Sequence, residues 1–152
     1  MRASVTLHMD APPEKVWGII SDITRMGECS PEVVEAEWLG DATGPALGAR
    51  YRGRVKRNEV APFLYWTTCE ITECVPGEVF EFAVVMRDRP VNTWRYEFEA
   101  RDGGTDVTES FDLGDNLFTK VWRPLGGFLR EERNKRDMLR TLERVKEAAE
   151  AA

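Results

Sequence analysis

The sequence predicts an α+β domain: a strongly curved, seven-stranded antiparallel sheet wrapped around a long C-terminal helix, with one or two short helices between strands 1 and 2. Three observations carry that expectation. Between residues 33 and 113 the apolar positions recur every second residue, the period of strands with one buried face. From about residue 119 the spacing becomes three and four, the period of an amphipathic helix. Turn-forming clusters of Gly, Pro and Asp separate the alternating segments by short distances, so consecutive strands pair as antiparallel neighbours.

Residues 4–9 open as a strand, with Val5, Leu7 and Met9 on one face and Ser4, Thr6 and His8 on the other. Asp10 or Ala11 then precedes a helix opened by Pro12 and Pro13, because the first helical position has no hydrogen bond for proline to lose. Glu14 falls in its first turn, where the helix dipole favours an acid. Val16, Trp17, Ile19, Ile20 and Ile23 form its apolar stripe. Residues 23–29 add one or two turns and stop at Ser30, since the residue before Pro31 resists helical backbone.

Val34, Ala36 and Trp38 alternate with Glu35 and Glu37, and a segment with Gly40, Gly44, Pro45 and Gly48 turns the chain. Arg50, Arg52, Arg54 and Lys56 then face away from Tyr51, Gly53 and Val55. After a turn at 58–62, a strand over 63–74 sets Tyr65, Thr67, Cys69 and Ile71 against Trp66, Thr68, Glu70 and Thr72. Pro76-Gly77 leads to Phe80, Phe82, Val84 and Met86 on an inward face, and residues 87–90 turn again. Trp94, Tyr96 and Phe98 alternate with Arg95, Glu97 and Glu99. Asp102-Gly103-Gly104 reads as a hairpin. The last strand, 105–113, carries Val107, Glu109, Phe111 and Leu113 on one face. Val121, Leu125, Phe128, Leu129, Met138, Leu139, Leu142 and Val145 form the stripe of the final helix. Its regular part is 128–149, and Pro124 with the Gly126-Gly127 pair weakens or kinks its start.

The chain of 152 residues is read as one domain, 1–152, against a usual size of roughly 100–200. An apolar content of 42% is enough for a core and excludes disorder. The net charge of −6 argues against nucleic acid as a partner. No apolar run approaches the roughly 20 residues of a spanning helix, and no signal-peptide core opens the chain, so the default expectation is a cytoplasmic protein without stable membrane insertion. Cys29, Cys69 and Cys74 cannot all pair and form no CxxC, and with one histidine the sequence suggests no metal site. No cofactor is expected.

Several phrases resemble the START/helix-grip superfamily, in particular its polyketide cyclase/dehydrase-like (SRPBCC) group with the birch-pollen-allergen-like fold. They are Ala11-Pro12-Pro13-Glu14-Lys15-Val16-Trp17; Ile23 through Cys29-Ser30-Pro31; Cys69-Glu70-Ile71-Thr72-Glu73 with Pro76-Gly77 and Phe80-Glu81-Phe82; Gly104 through Ser110; and Met138 through Lys146. The resemblance covers essentially the whole chain. It implies a helix-grip domain with an internal cavity between the sheet and the last helix. The function it implies is binding or transport of a hydrophobic small molecule of lipid, polyketide or isoprenoid-like type. A polyketide cyclase or dehydratase is the enzymatic alternative, and an interaction module with a filled core is the third reading. The family has no universal catalytic motif, so fold alone transfers no activity.

On that basis the expected cavity residues are Tyr51, Val55, Tyr65, Thr67, Phe80, Phe82, Trp94, Tyr96 and Glu109, with Phe128, Leu129, Asn134 and Met138 from the helix. Each is also an ordinary core position. Gly53 and Thr67 leave room in the middle of a face otherwise lined by Trp38, Tyr51, Phe80, Phe82, Trp94 and Phe98. Glu109 is the one carboxylate on an apolar strand face: buried without a partner it would serve as a general acid or base, and paired with Arg95 or Tyr96 it would be structural. Glu131, Asn134 and Lys135 interrupt the helical stripe, either toward a wet pocket or toward solvent. Arg50, Arg52, Arg54 and Lys56 form an outer basic ridge, explained by cross-strand pairing with Glu35, Glu37, Glu70 and Glu81. An acidic carrier protein and a homodimer are the macromolecular partners considered. His8 belongs to no recognisable catalytic arrangement, Cys69 reads as a small buried hydrophobe, and the glycine pairs do not form a phosphate loop.

Overall fold

Apolar periodicity becomes β1 (Arg2–Met9), α1 (Pro13–Ser21), a 3-10 turn (Ile23–Arg25), α2 (Met26–Cys29), β2 (Val33–Trp38), β3 (Arg50–Arg57), β4 (Phe63–Val75), β5 (Val79–Met86), β6 (Arg89–Arg101), β7 (Gly104–Leu113) and α3 (Gly127–Glu150). The computed structural model describes residues 2–57, 63–114 and 127–151, without the side chains of 57, 63 and 127–131. The expected turn at 58–62 and the expected weakening around Pro124 and Gly126 lie outside the described residues.

The seven strands form one curved, open antiparallel sheet in the order β1-β7-β6-β5-β4-β3-β2. The first strand returns to pair with the last, with Val5 opposite Glu109 and Met9 opposite Thr105. Helix α3 lies across β1 and also touches α1, α2 and β7. Its buried positions, Met138, Leu142, Val145 and Ala149, recur at three and four residues and close on a core that includes Ile71, Phe80 and Val107. Leu139, expected on that stripe, sits about 100° around the helix from Met138 and is 38% exposed. At the start of α1 it is Pro12, not Asp10 or Ala11, that precedes the first helical residue, its carbonyl accepting from the Lys15 and Val16 amides.

Three departures from strict alternation shape the concave face. A register shift between Val33 and Glu35 makes Val34 an extra residue, 49% exposed, while Val33 takes the inward place expected for it. In β4 a second shift between Ile71 and Glu73 returns Cys74 to the inner side. The turn expected over 87–90 contracts to Arg87 and Asp88, with φ of 52° and 59°, because two left-handed residues match the twist of a tight hairpin. Pro90 is therefore inside β6. It pairs with Val85 while Val84 pairs with Asn92, so Val91 is an extra residue at the bulge where proline, lacking an N–H, is tolerated.

The convex face carries the charge. Arg52 pairs with Glu37 and lies 4.3 Å over the Trp66 ring. Arg54 pairs with Glu35 at 3.5 Å, and Arg50 with Glu70 at 3.4 Å and Asp88 at 3.0 Å. Glu81, expected opposite the ridge, instead joins Glu73 and Glu97 around Arg95. These part-exposed pairs contribute about 0–1 kcal/mol each and mainly cancel the ridge's charge.

Candidate functional site

Sheet and helix do not meet everywhere. At the Phe80 end, α1 and α3 close on the sheet and the interior is filled. Toward Met86 and Leu113 a cavity of about 540 Å³ remains. Its size falls within the usual range for small-molecule sites, roughly 300–1,000 Å³. The interior is thus not filled along its whole length, whereas the interaction-module reading expected a filled core.

Strand register builds the floor of the cavity in rows. Tyr51 pairs with Cys69, Cys69 with Val84, Val84 with Asn92 and Asn92 with Leu113, so one row crosses five strands. The next row carries Phe82, Trp94 and Phe111, and beyond it Tyr96 faces Glu109. Gly53, with no side chain, and the short Thr67 leave the hollow between β3 and β4. Met26 and the 30–33 segment form one wall, and Asp137, Met138 and Thr141 of α3 form the roof. Met86, 66% exposed, marks the mouth.

Of the residues expected to line the cavity, Tyr51, Val55, Tyr65, Thr67, Phe82, Trp94, Tyr96, Glu109 and Met138 do so. Phe80 does not. It is fully buried in the core beside Phe82, with ring centroids 5.9 Å apart, where the helices have closed the space. Asn134 is buried but lies outside the lining, and Met138, one turn later, takes the position facing the sheet. The side chains of Phe128, Leu129 and Glu131 lie outside the described residues. Lys135 belongs to a separate solvent-facing groove with Arg2, Arg95 and Asp112. Sequence reasoning missed Asn92, although it stands two residues before Trp94 on the same face. It also missed the 30–33 wall, a non-periodic segment that carries no such signal.

The chemistry of this lining lies in its buried polar groups. Glu109 is 2% exposed, and the Tyr96 hydroxyl donates to its Oε1 at 2.9 Å. Burial pushes the Glu109 carboxyl up to about 8, against the smaller opposing effect of that hydrogen bond. The described lining residues include no Arg, Lys or His that would offset a charge there. Burial likewise holds the Tyr51 and Tyr96 phenols well above their usual range and pushes the Cys69 thiol to about 11, so this cysteine is a poor nucleophile. Among the described residues, three buried side-chain polar atoms lack a hydrogen-bond partner: Tyr51 Oη, Asn92 Oδ1 and Glu109 Oε2. All three residues line this one cavity. Each unsatisfied group costs on the order of 1–3 kcal/mol, a cost that a complementary ligand would remove.

A family profile described as polyketide cyclase/dehydrase and lipid transport matches residues 1–150. No curated protein sequence matches the chain. Among solved structures it is similar to the Zhui aromatase/cyclase from Streptomyces sp. R1128, at a TM-score of 0.75 and 16% identity over 99% of this chain and 93% of that one. It is also similar to the di-domain aromatase/cyclase BexL of the BE-7585A biosynthetic pathway, with a TM-score of 0.73 and 20% identity. The whole of this chain spans 50% of BexL. The Aha1 dimer from Colwellia psychrerythraea matches at a TM-score of 0.64 and 10% identity over 99% of this chain and 96% of its own. At these identities the likeness is one of fold. Among the described residues no helix is long and apolar enough to cross a membrane.

Proposed function

The chain belongs to the polyketide cyclase/dehydrase and lipid-transport family, and from that premise we propose that it binds a hydrophobic small molecule in the cavity between its sheet and α3. The observation that carries this reading is a cavity of about 540 Å³ whose lining includes Tyr51, Asn92 and Glu109, the three residues with a buried polar atom that lacks a hydrogen-bond partner among the described residues. Phe82, Trp94 and Phe111 take the ligand's apolar body out of water, each 100 Å² of apolar surface removed contributing about 2.5 kcal/mol. Tyr51, Asn92 and Glu109 fix its orientation. The ligand class is polyketide, lipid or isoprenoid-like.

The test is native mass spectrometry of the protein from its own host, followed by extraction of anything bound, alongside uptake of the apolar dye Nile red. A reproducible hydrophobic adduct or saturable dye uptake supports the reading. Gly53→Leu supplies the control. A Cβ at Gly53 meets Thr67 Oγ1 at 3.8 Å and Val33 Cγ1 at 3.9 Å, ordinary contact, so the backbone there accepts a side chain directed at the hollow. Dye uptake should fall at least tenfold while the fold persists. A clean mass with no uptake by the wild type would overturn the proposal.

One observation favours catalysis as a second reading. Glu109 is buried with a tyrosine, not an arginine, as its partner, which leaves a carboxylic acid able to donate a proton at neutral pH. The cavity would then fold a reactive chain and Glu109 would assist its enolisation. Deuterium incorporation into the methyl group of 2-acetylnaphthalene, faster with the wild type than with Glu109→Gln, tests it. Equal rates for the two proteins would leave binding alone.

A further inference from the structure

Resting on the reading of the cavity as a ligand site, we propose that its inner end is a proton-bearing clamp for a carbonyl oxygen. There Glu109 stands as a neutral carboxylic acid and donates a hydrogen bond to a ketone-type acceptor on the ligand. The direction of the Tyr96 hydrogen bond is the starting point. Tyr96 Oη lies 2.9 Å from Glu109 Oε1, and with the phenol donating there Oε1 is the accepting, carbonyl-like oxygen. The acid's own hydrogen then belongs on Oε2, the oxygen without a protein partner.

The surroundings keep that hydrogen in place. Cys69 of β4, Tyr51 of β3 and Tyr96 of β6 face the same space, and β1 offers only Val5 opposite Glu109. Cys29 of α2 stands near Tyr96, its thiol also raised by burial. The remaining titratable groups of the described wall are the Tyr65 phenol of β4 and two acids, Glu32 beyond α2 and Asp137 of α3. An ionised Glu109 would thus face neutral or acidic groups, and a buried charge without a counterion is far costlier than a buried neutral acid. Burial accordingly moves its titration up to about 8.

Tyr51 reaches over the same cavity from β3, where burial first and then the neighbouring Cys69 thiol oppose its ionisation; its hydroxyl has only that weak sulfur partner. Asn92 precedes Tyr96 by four residues in β6, which places its unpartnered carbonyl oxygen about 13 Å away along the strand at ~3.3 Å per residue. The complementary ligand has a carbonyl at the Glu109 end, an apolar body over Trp94 and Phe82, and a hydroxyl or N–H toward Asn92. Uptake is linked to one proton: deprotonation turns Glu109 from donor to acceptor and repels the carbonyl.

Two probes test this. One is 6-propionyl-2-(dimethylamino)naphthalene, a neutral ketone whose emission shifts to the red when its carbonyl accepts a hydrogen bond. The other is 2-(dimethylamino)naphthalene, which lacks the carbonyl. Between pH 7 and pH 9 the ketone's affinity should fall about tenfold, as one proton titrating near 8 requires, with loss of the red-shifted component. The carbonyl-free analogue should bind equally at both. Glu109→Gln, whose amide can still donate, should bind the ketone with no pH dependence. Identical pH profiles for the two probes, or a Glu109→Gln variant that keeps the wild-type fall, would overturn the clamp while leaving the binding site standing. If neither probe binds the wild type, the binding reading falls and the clamp with it. Should Glu109→Gln fail to fold, the two-probe comparison on the wild type decides alone.

Discussion

Replacing Glu109 by glutamine should make the protein more stable at neutral pH and flatten its dependence on pH. A glutamate that titrates near 4.5 when unfolded titrates here at about 8, so between those values the folded state holds a proton that the unfolded state has released. Stability then falls as pH rises, by about 1.4 kcal/mol per pH unit. The contribution is fully present below 4.5 and lost as pH climbs through 8, a total of about 5 kcal/mol. Allowing for curvature at both ends, about 3 kcal/mol disappears between pH 5 and pH 7.5. Full burial leaves no solvent screening to reduce this figure. Glutamine preserves the Tyr96 hydrogen bond through its own carbonyl but carries no proton to lose. The assay is urea unfolding of both proteins at half-unit steps over that range. Other titrating groups cancel in the difference between the two curves. The gap should widen by about 3 kcal/mol from pH 5 to pH 7.5 in favour of Glu109→Gln. Curves that stay parallel within about 0.5 kcal/mol would refute the account of Glu109 as a buried neutral acid.

Two further changes probe the framework. Phe80→Ala removes a fully buried ring from the filled end of the interior and should cost about 3–5 kcal/mol in urea unfolding. A loss below about 1 kcal/mol would mean that this end is as open as the other. Arg95→Ala leaves Glu73, Glu81 and Glu97 facing one another, all within 3.1 Å of the lost guanidinium. Because that site is part-exposed, the cost should be about 1 kcal/mol at low salt and shrink as ionic strength rises. A cost independent of salt would show that the guanidinium acts through packing.

Legibility followed periodicity. The inward sets of β3, β4 and β6 were readable where their alternation runs unbroken, over residues 51–55, 65–71 and 94–98. The misplacements fall where one residue is added or the rotation of an element is at stake. Val34 faces out because it is the extra residue of a bulge, and Leu139 is exposed because α3 settles with Met138 and Leu142 against the sheet. Phe80 shares a face with Phe82 and Val84 yet lies outside the cavity. Alternation assigns a face but not a position along it, and the position is what separates core from pocket. Asn92 keeps the alternation of Trp94 and Tyr96 but stands directly after the bulge at Val91, beyond which the sequence shows no strand pattern.

By itself the sequence determined the class of the fold, the order of its elements, the polarity of each sheet face and Glu109 as an isolated acid on an apolar one. These are properties of near neighbours in the chain, written in spacings of two and of three to four. Only the tertiary structure decided that the interior closes at Phe80 and stays open at Trp94, and that Glu109 meets Tyr96 and, among the described residues, no cation. Both depend on which distant surfaces approach, β6 against β7 and α3 against the sheet. The state of a buried acid is set by everything within a few ångströms of it, most of which is far away in sequence.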